Sequence, residues 1–292
     1  MEICQLDGRT NSYYRYRSTL KALEDFAEGP VLLESITPQW LQACENYWRC
    51  NGKGPTCINI YMKTLKCVMN VCVREGAFPA SRMPFGQGLY EIPAPQRRRM
   101  ALTEEELQKI ISYSGSAVME KYRDLWLFSY LCNGINFRDM LFLRYRDIEC
   151  GEITFVRSKT SRSCGRVVRA PFTSEMREIV RKHGNPPGSS PDTYIFKYAH
   201  EGMDSQEKTM LVRKVTSQCN KYLHKMSQEL GIKPFTTYSA RHSFATALLR
   251  GGVNIKYISE ALGHSNISMT ENYLAGSEQS DRLQFSRILL HK

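Results

Sequence analysis

The 292-residue chain is long enough for one large or two medium domains, and its 42% hydrophobic content can fill true cores. No apolar run approaches the length of a membrane span or of a signal-peptide core, so we expect no membrane partner. The ten cysteines show no Cys-x-x-Cys pair and no zinc-site spacing, which favours reduced, mostly buried thiols in a cytoplasmic protein.

The positive charge is uneven along the chain. Its 40 Lys and Arg outnumber 29 Asp and Glu, for a net charge of +11. Residues 1–95 hold ten basic and nine acidic side chains, so residues 96–292 carry nearly all of the excess. A partner that bears phosphates explains this bias, and a basic but inert surface is the alternative.

The first region reads as three helices. An apolar stripe from Tyr13 to Phe26 predicts a helix that Gly29 ends. Thr37, followed by a proline, is a good N-cap for a second helix toward Asn51, and a third runs from about residue 56 to residue 75.

An aperiodic stretch rich in Pro, Gly and Arg follows, from residue 76 to residue 100, and predicts a linker. Thr103 and Glu106 then form a capping box that starts a new domain. We place a helical domain at 1–90, a basic linker at 91–102 and a second domain at 103–292. The linker arginines Arg97, Arg98 and Arg99 are candidate DNA contacts.

The second domain is predicted to be helical except for a β-hairpin over residues 151–172. Five cations lie there, with no acid after Glu152. Lysine and arginine often protect solvated edge strands, but five cations without a counter-ion favour contact with phosphates. The hairpin cations are Arg157, Lys159, Arg162, Arg166 and Arg169.

Helix signals place the residues between 238 and 274. The helix that carries Arg241 ends at two glycines, and a short helix capped by Asn254 ends at Gly263. His264 therefore stands at a helix exit rather than on an apolar face. Ser268 and Glu271 form a second capping box, which predicts a short helix that carries Tyr273, nine residues after His264.

These residue types suit attack on a DNA phosphodiester. A tyrosine phenol can become esterified to phosphorus, and guanidinium groups can neutralise the charge on the phosphate oxygens. A lysine on a mobile hairpin can protonate the leaving 5′ oxygen. The bond energy is kept in the phosphotyrosine, so we expect no metal and no cofactor. The alternative is a run of helices whose polar residues are caps and surface groups.

The segment "ARHSFATALLRGG…ISEALGHSNISMTENYL" resembles the signature of the tyrosine recombinases, the phage-integrase family. The resemblance implies a mainly α fold with a small β-hairpin, in which a core-binding domain and a catalytic domain clamp duplex DNA. It also implies that Tyr273 is the nucleophile, Arg241 the second family arginine, His264 the late histidine and Lys159 the hairpin lysine. Tyr257 is the next candidate nucleophile. His242 is expected to be structural.

Two departures from the family pattern concern the site. Tyr238 stands where the family usually has a histidine, and a phenol can still hydrogen-bond a phosphate oxygen. Asn136 stands at the position of the first arginine, so another cation is expected to replace it. Arg138 fits if Asn133 and Gly134 form a turn and the helix starts near Asn136, and Arg123 is the alternative. Such variants resemble integrases and invertases of Bacteroides-type mobile elements.

The resemblance also implies partners: double-stranded DNA, accessory DNA-bending proteins, and a homo-tetramer closed by C-terminal tails. Leu283, Phe285, Ile288 and Leu289 could form the apolar edge of such a tail, or could pack on their own domain. The chain starts at the predicted core-binding domain, which suits a simple recombinase, an invertase or a truncated chain. Rival functions are a catalytically weak DNA-binding relative and a type IB topoisomerase.

Overall fold

A computed structural model describes residues 10–94, 101–159, 161, 165–188 and 190–271. The chain divides between residues 98 and 99 into two compact units. Both are mostly helical. Within the described ranges, no helix combines the length and apolar character needed to cross a bilayer.

The first unit is the predicted three-helix domain. Helix α2 starts as predicted, because the Thr37 hydroxyl accepts a hydrogen bond of 3.1 Å from the Trp40 backbone N–H. Leu41, Trp48 and Ile58 are buried in the core of this first unit. The helices are α1 (Thr10–Ala27), α2 (Pro38–Cys50) and α3 (Pro55–Arg74).

Part of the stretch predicted as a linker belongs to this first core. Phe78, Phe85 and Tyr90 are buried and pack with the helical residues. The Tyr90 hydroxyl hydrogen-bonds the carboxylate of Glu45, a residue of α2. The lack of helical period therefore marks an irregular segment here, but the segment is packed against the domain rather than extended between domains.

The second unit is built around a buried helix, α5, which packs against α7, α8 and α9. Leu125, Trp126 and Phe128 of α5 are fully buried, as expected of a helix with apolar residues on all faces. The predicted capping box of α4 is confirmed, with Thr103 and Glu106 bonded to each other's backbone N–H. The helices are α4 (Glu104–Ile111), α5 (Ala117–Leu131), α6 (Phe137–Met140), α7 (Ser174–His183), α8 (Ser205–Glu229), α9 (Ser239–Arg250), α10 (Ile255–Ala261) and α11 (Ile267–Glu271).

The predicted hairpin is confirmed as part of a three-stranded antiparallel sheet. Strand β1 (Ile148–Glu149) pairs with β2 (Glu152–Val156), which pairs with β3 (Val167–Pro171). Cys150 and Gly151 connect β1 to β2 with φ of 50° and 79°, the left-handed pair of a tight hairpin turn. Strand β1 was not predicted, because two residues show no period.

Candidate functional site

The turn between α5 and α6 brings the parts of the site together. Asn133 and Gly134 have φ of 52° and 62°, so the predicted turn is confirmed. A Cβ at Gly134 would lie 2.6 Å from the Arg241 Cα, so only glycine lets α9 approach this closely. The Asn133 amide donates to the Arg169 carbonyl oxygen at 2.8 Å, which ties the turn to β3.

Arg241, in the first turn of α9, is buried with 4% of its surface exposed. Its Nη1 donates to the Gly134 carbonyl oxygen at 3.2 Å. Its Nη2 donates to the Leu262 carbonyl oxygen and lies 3.0 Å from Nε2 of His264. The guanidinium is therefore held between the α5–α6 turn and the end of α10.

His264 follows Gly263, whose φ is 63°, so the predicted helix exit is confirmed. The side chain is nevertheless fully buried, contrary to the expectation of a position away from the core. Because a guanidinium can only donate, Nε2 accepts from Arg241. The proton then sits on Nδ1, which donates to the Thr270 hydroxyl at 2.8 Å.

The electrostatic surroundings keep His264 neutral. Burial lowers its pKa to about 3, with further contributions from the charges of Arg241, Arg157 and Lys159. At pH 7 this imidazole is therefore a hydrogen-bonding group and not a proton donor of the imidazolium type. Three cations act on one buried histidine, so the local field is strongly positive.

The β2–β3 hairpin contacts the chain at His264. Arg166 donates to the His264 carbonyl oxygen at 2.7 Å. Lys159 is exposed just beyond β2, and the Ser158 backbone N–H next to it donates to the Asp139 carboxylate of α6 at 3.1 Å. A Cβ at Gly263 would lie 2.8 Å from Val168 of β3, so this glycine lets the hairpin pack on the turn before His264.

Arg157 was predicted as a hairpin contact to phosphates, and the structure buries it, with 6% of its surface exposed. Side chains of a strand alternate between faces, and Arg157 continues the inward series of Ile153 and Phe155. Arg166 and Arg169 are exposed. The alternation of inward and outward residues in the sequence was therefore a signal that Arg157 differs in burial from Arg166 and Arg169.

The two arginines considered as substitutes at Asn136 point to other partners. Helix α6 starts after Asn136 as required, yet the Arg138 Nη1 lies 3.4 Å from the Thr209 hydroxyl of α8. Arg123 donates to the neighbouring Asp124 at 2.7 and 2.9 Å.

Tyr238 immediately precedes α9 and is 42% exposed. Its ring lies edge-on to the ring of His242, with centroids 4.9 Å apart. Burial, with a contribution from Arg241, lowers the pKa of His242 to about 4. The tyrosine is thus accessible at the start of the helix that holds Arg241.

The start of α11 corrects one prediction. The Asn266 side chain accepts from the Ser268 backbone N–H at 3.1 Å, which is the bond of an N-cap to its second helical residue. Ser268 therefore lies inside α11 and does not cap it. Thr270, which holds His264 from α11, had no signal in the sequence.

Several predicted residues lie outside the described part of the chain. They are Tyr273, Arg162, Arg97, Arg98, Arg99 and the apolar tail residues 283–289. Among the residues that are described, no three His, Cys, Asp or Glu side chains form a group that could hold a metal ion. What the described site can do chemically is bind an anion and hydrogen-bond it.

Comparisons with known proteins agree over both units. Residues 100–280 match the phage integrase family, and residues 1–88 match the phage integrase SAM-like domain. A tyrosine recombinase of Pseudothermotoga lettingae is 32% identical over 187 residues, which span 61% of this chain and 57% of that relative. The chain thus matches somewhat more than half of the relative's length.

Solved structures share the fold. The Tn1549 transposon integrase, in complex with transposon right end DNA, superposes with a TM-score of 0.68 at 16% identity, covering 96% of this chain and 94% of that one. A lambda integrase, solved as a tetramer bound to a Holliday junction, gives a TM-score of 0.62 at 19% identity, covering 90% and 72%.

Proposed function

Since this chain belongs to the phage integrase family of tyrosine recombinases, we propose that it is a site-specific DNA recombinase that cleaves and rejoins duplex DNA through a 3′-phosphotyrosine at Tyr273. The observation that carries the proposal is the pair formed by Arg241 and neutral His264, 3.0 Å apart and within the field of Lys159. A scissile phosphate supplies the anion that such a site is suited to bind.

The position of Tyr273 in the chain supports its role. Thr270 is fully buried and bonded to His264, so the backbone is held at this point. Three further residues span at most about 10 Å. A tyrosine three residues after Thr270 is therefore within reach of a phosphate bound at the Arg241–His264 pair.

The reaction balances without a metal. The Tyr273 phenol oxygen forms a bond to phosphorus, and the bond from phosphorus to the 5′ oxygen breaks. The phenolic proton passes to water, and the 5′ oxygen takes a proton from Lys159. Arg241, held in place by neutral His264, hydrogen-bonds the non-bridging oxygens, and Tyr238 adds a phenol donor. Attack by a 5′ hydroxyl of a second strand reverses each step and rejoins the DNA.

The remaining cations hold the duplex in place. Arg166 and, beyond the described residues, Arg162 and Arg97–Arg99 would contact backbone phosphates next to the cleaved one. Such contacts position the protein without reading sequence.

The test is capture of the covalent adduct from a randomised duplex library. The protein is incubated with the library, denatured, and the attached DNA is sequenced to define the site. A 3′-phosphotyrosine retains the strand labelled at its 5′ end, and Tyr273→Phe should bind the same DNA without forming the adduct. No adduct from the wild type favours a DNA-binding relative, and relaxation of plasmids that lack the captured site favours a topoisomerase.

We also propose that the protein acts as a tetramer on two synapsed sites, as a lambda integrase tetramer binds a Holliday junction. The tail is assigned the role of joining subunits. Deletion of residues 277–292 should preserve binding to one site and reduce recombination between two sites. Equal recombination by the shortened protein would show that the tail packs on its own domain.

A further inference from the structure

The proposed reaction needs more positive charge at the phosphate than Arg241 alone provides. Two non-bridging oxygens gain negative charge in the transition state. Arg241 already directs N–H groups to Gly134, Leu262 and His264. Asn136, at the position where a second guanidinium was expected, is neutral.

Arg157 is a buried cation for which the fold provides no counter-ion among the described residues. It directly follows β2 and continues the inward face of that strand. The other residues of this face, Ile153 and Phe155, are apolar and pack in or against the core. A charged side chain at such a position costs stability unless it is paired. A structural role would therefore require a partner.

No such partner exists in the part of the chain that the structure describes. The Nε of Arg157 is fully buried without a hydrogen-bond acceptor, and no ion pair involves its guanidinium. The nearby carboxylate of Asp139 bonds the Ser158 backbone instead. By contrast, Arg123 and Arg144 of the same unit are paired with carboxylates.

Arg157 also lies beside the residues already placed in the site. Its Cβ is 4.0 Å from the point that a Cβ on Gly263 would occupy, directly before His264. Its charge is one of those that lower the pKa of His264. Arg241 approaches the same histidine from α9, so the charges of the two arginines act on it from different elements.

We propose that Arg157 is a catalytic residue that binds a non-bridging oxygen of the scissile phosphate, supplying from the residue after β2 the second guanidinium that is absent at Asn136. This inference rests on the proposed recombinase function. It assigns Arg157 a role apart from Arg166, which contacts a neighbouring phosphate. It also accounts for an unpaired buried cation, because the phosphate is its partner.

The test compares Arg157→Met, which keeps the length and removes the charge, with Arg157→Lys and with Arg169→Met. Arg169 lies on the outward face of the same hairpin and is the matched control. Each protein is given a nicked duplex of the captured site with either a normal phosphate or a neutral methylphosphonate at the cleaved position. The rate of adduct formation, DNA binding and the thermal unfolding midpoint are measured.

On the normal phosphate, Arg157→Met should form adduct about 10²–10³-fold more slowly than the wild type, as expected for one lost preorganised donor. On the methylphosphonate its rate should approach that of the wild type, and Arg157→Lys should fall between. Its unfolding midpoint should not decrease, since an unpaired buried charge has been removed. Arg169→Met should show no difference between the two substrates.

Three results would overturn the assignment. They are an unchanged rate of Arg157→Met on normal DNA, an equal loss on both substrates, and a lower unfolding midpoint that marks a structural role. Adduct formation by the wild type separates these failures from failure of the recombinase proposal. If the wild type forms no adduct on any duplex, both proposals fall.

Discussion

The second unit contains two buried clusters of arginine and histidine that differ in one component. In the first, Asp124 accepts from Arg123 and lies 2.8 Å from His183. Burial alone would raise the pKa of Asp124, but the hydrogen bonds from His183 and Arg123 outweigh it and hold the pKa below its usual value. This cluster carries its own anion.

In the second cluster, Arg241 donates to backbone carbonyl oxygens and to His264, His264 bonds the Thr270 hydroxyl, and the buried Nε of Arg157 has no acceptor among the described residues. Burial and the surrounding cations instead lower the pKa of the histidine. The same residue types thus build a network that contains its own anion in one place and, in the other, the site that we propose for a phosphate. The difference indicates where a ligand completes the structure.

The largest expected effect concerns the cation at the edge of the second cluster. Lys159→Ala should slow cleavage by about 10²–10⁴-fold, the range for a lost general acid. A duplex with sulfur at the 5′-bridging position needs no proton on its leaving group, so it should restore most of the rate. Adduct formation on both duplexes measures this, with Lys256→Ala of α10 as the control. Loss without rescue would assign Lys159 to phosphate positioning.

The first cluster should respond in stability and not in chemistry. Asp124→Asn leaves Arg123 and His183 without their anion and should lower the free energy of unfolding by about 3 kcal/mol. Denaturant unfolding measures the loss, and cleavage per folded molecule should be unchanged. Asp192 is the matched control, because its ion pairs with Arg144 and Arg146 are at the surface. Asp192→Asn should cost at most about 1 kcal/mol, and equal losses would remove the distinction.

A smaller effect is expected in the pH dependence of stability. The pKa of His264 is lower in the folded protein than its ordinary 6.5, so the unfolded chain takes up the proton first on acidification. The free energy of unfolding should therefore fall as pH drops below 6.5, with a slope of up to about 1.4 kcal/mol per pH unit from this residue.

His264→Gln removes that titration and should flatten the pH dependence, as measured by denaturant unfolding between neutral pH and about pH 5, above the carboxylate range. His242, whose pKa is also lowered, contributes equally to both proteins. His200→Gln, at an exposed position, is the matched histidine control. A wild-type slope that persists in His264→Gln would contradict a neutral His264.

Local sequence signals predicted the elements of the fold. Thr37, Thr103 and Asn254 cap helices as expected, because capping depends on residues two or three positions apart. The burial of Phe85 and Tyr90 was missed, since irregular segments pack through contacts that no period records. Asn266 replaced Ser268 as a cap because two capping candidates lay within one turn.

For the site, the sequence likewise predicted which residues take part but not the contacts between them. Arg241 and His264 were identified from their motif. The hydrogen bonds that His264 makes with Arg241 of α9 and Thr270 of α11 could not be inferred from spacing. The inward face of Arg157 could have been inferred from the alternation of β2. The direction of Arg138 toward Thr209 depends on α8, which lies more than 60 residues later in the chain.

The central claim, that Tyr273 becomes esterified to DNA, can be measured directly. The adduct is digested with nuclease and trypsin, and the nucleotide-bearing peptide is sequenced by tandem mass spectrometry. Cleavage after Lys256 and Arg282 yields residues 257–282, which contain both Tyr257 and Tyr273. Fragment ions should place the 3′-linked nucleotide on Tyr273. A nucleotide on Tyr257, or on any other residue, would contradict the account.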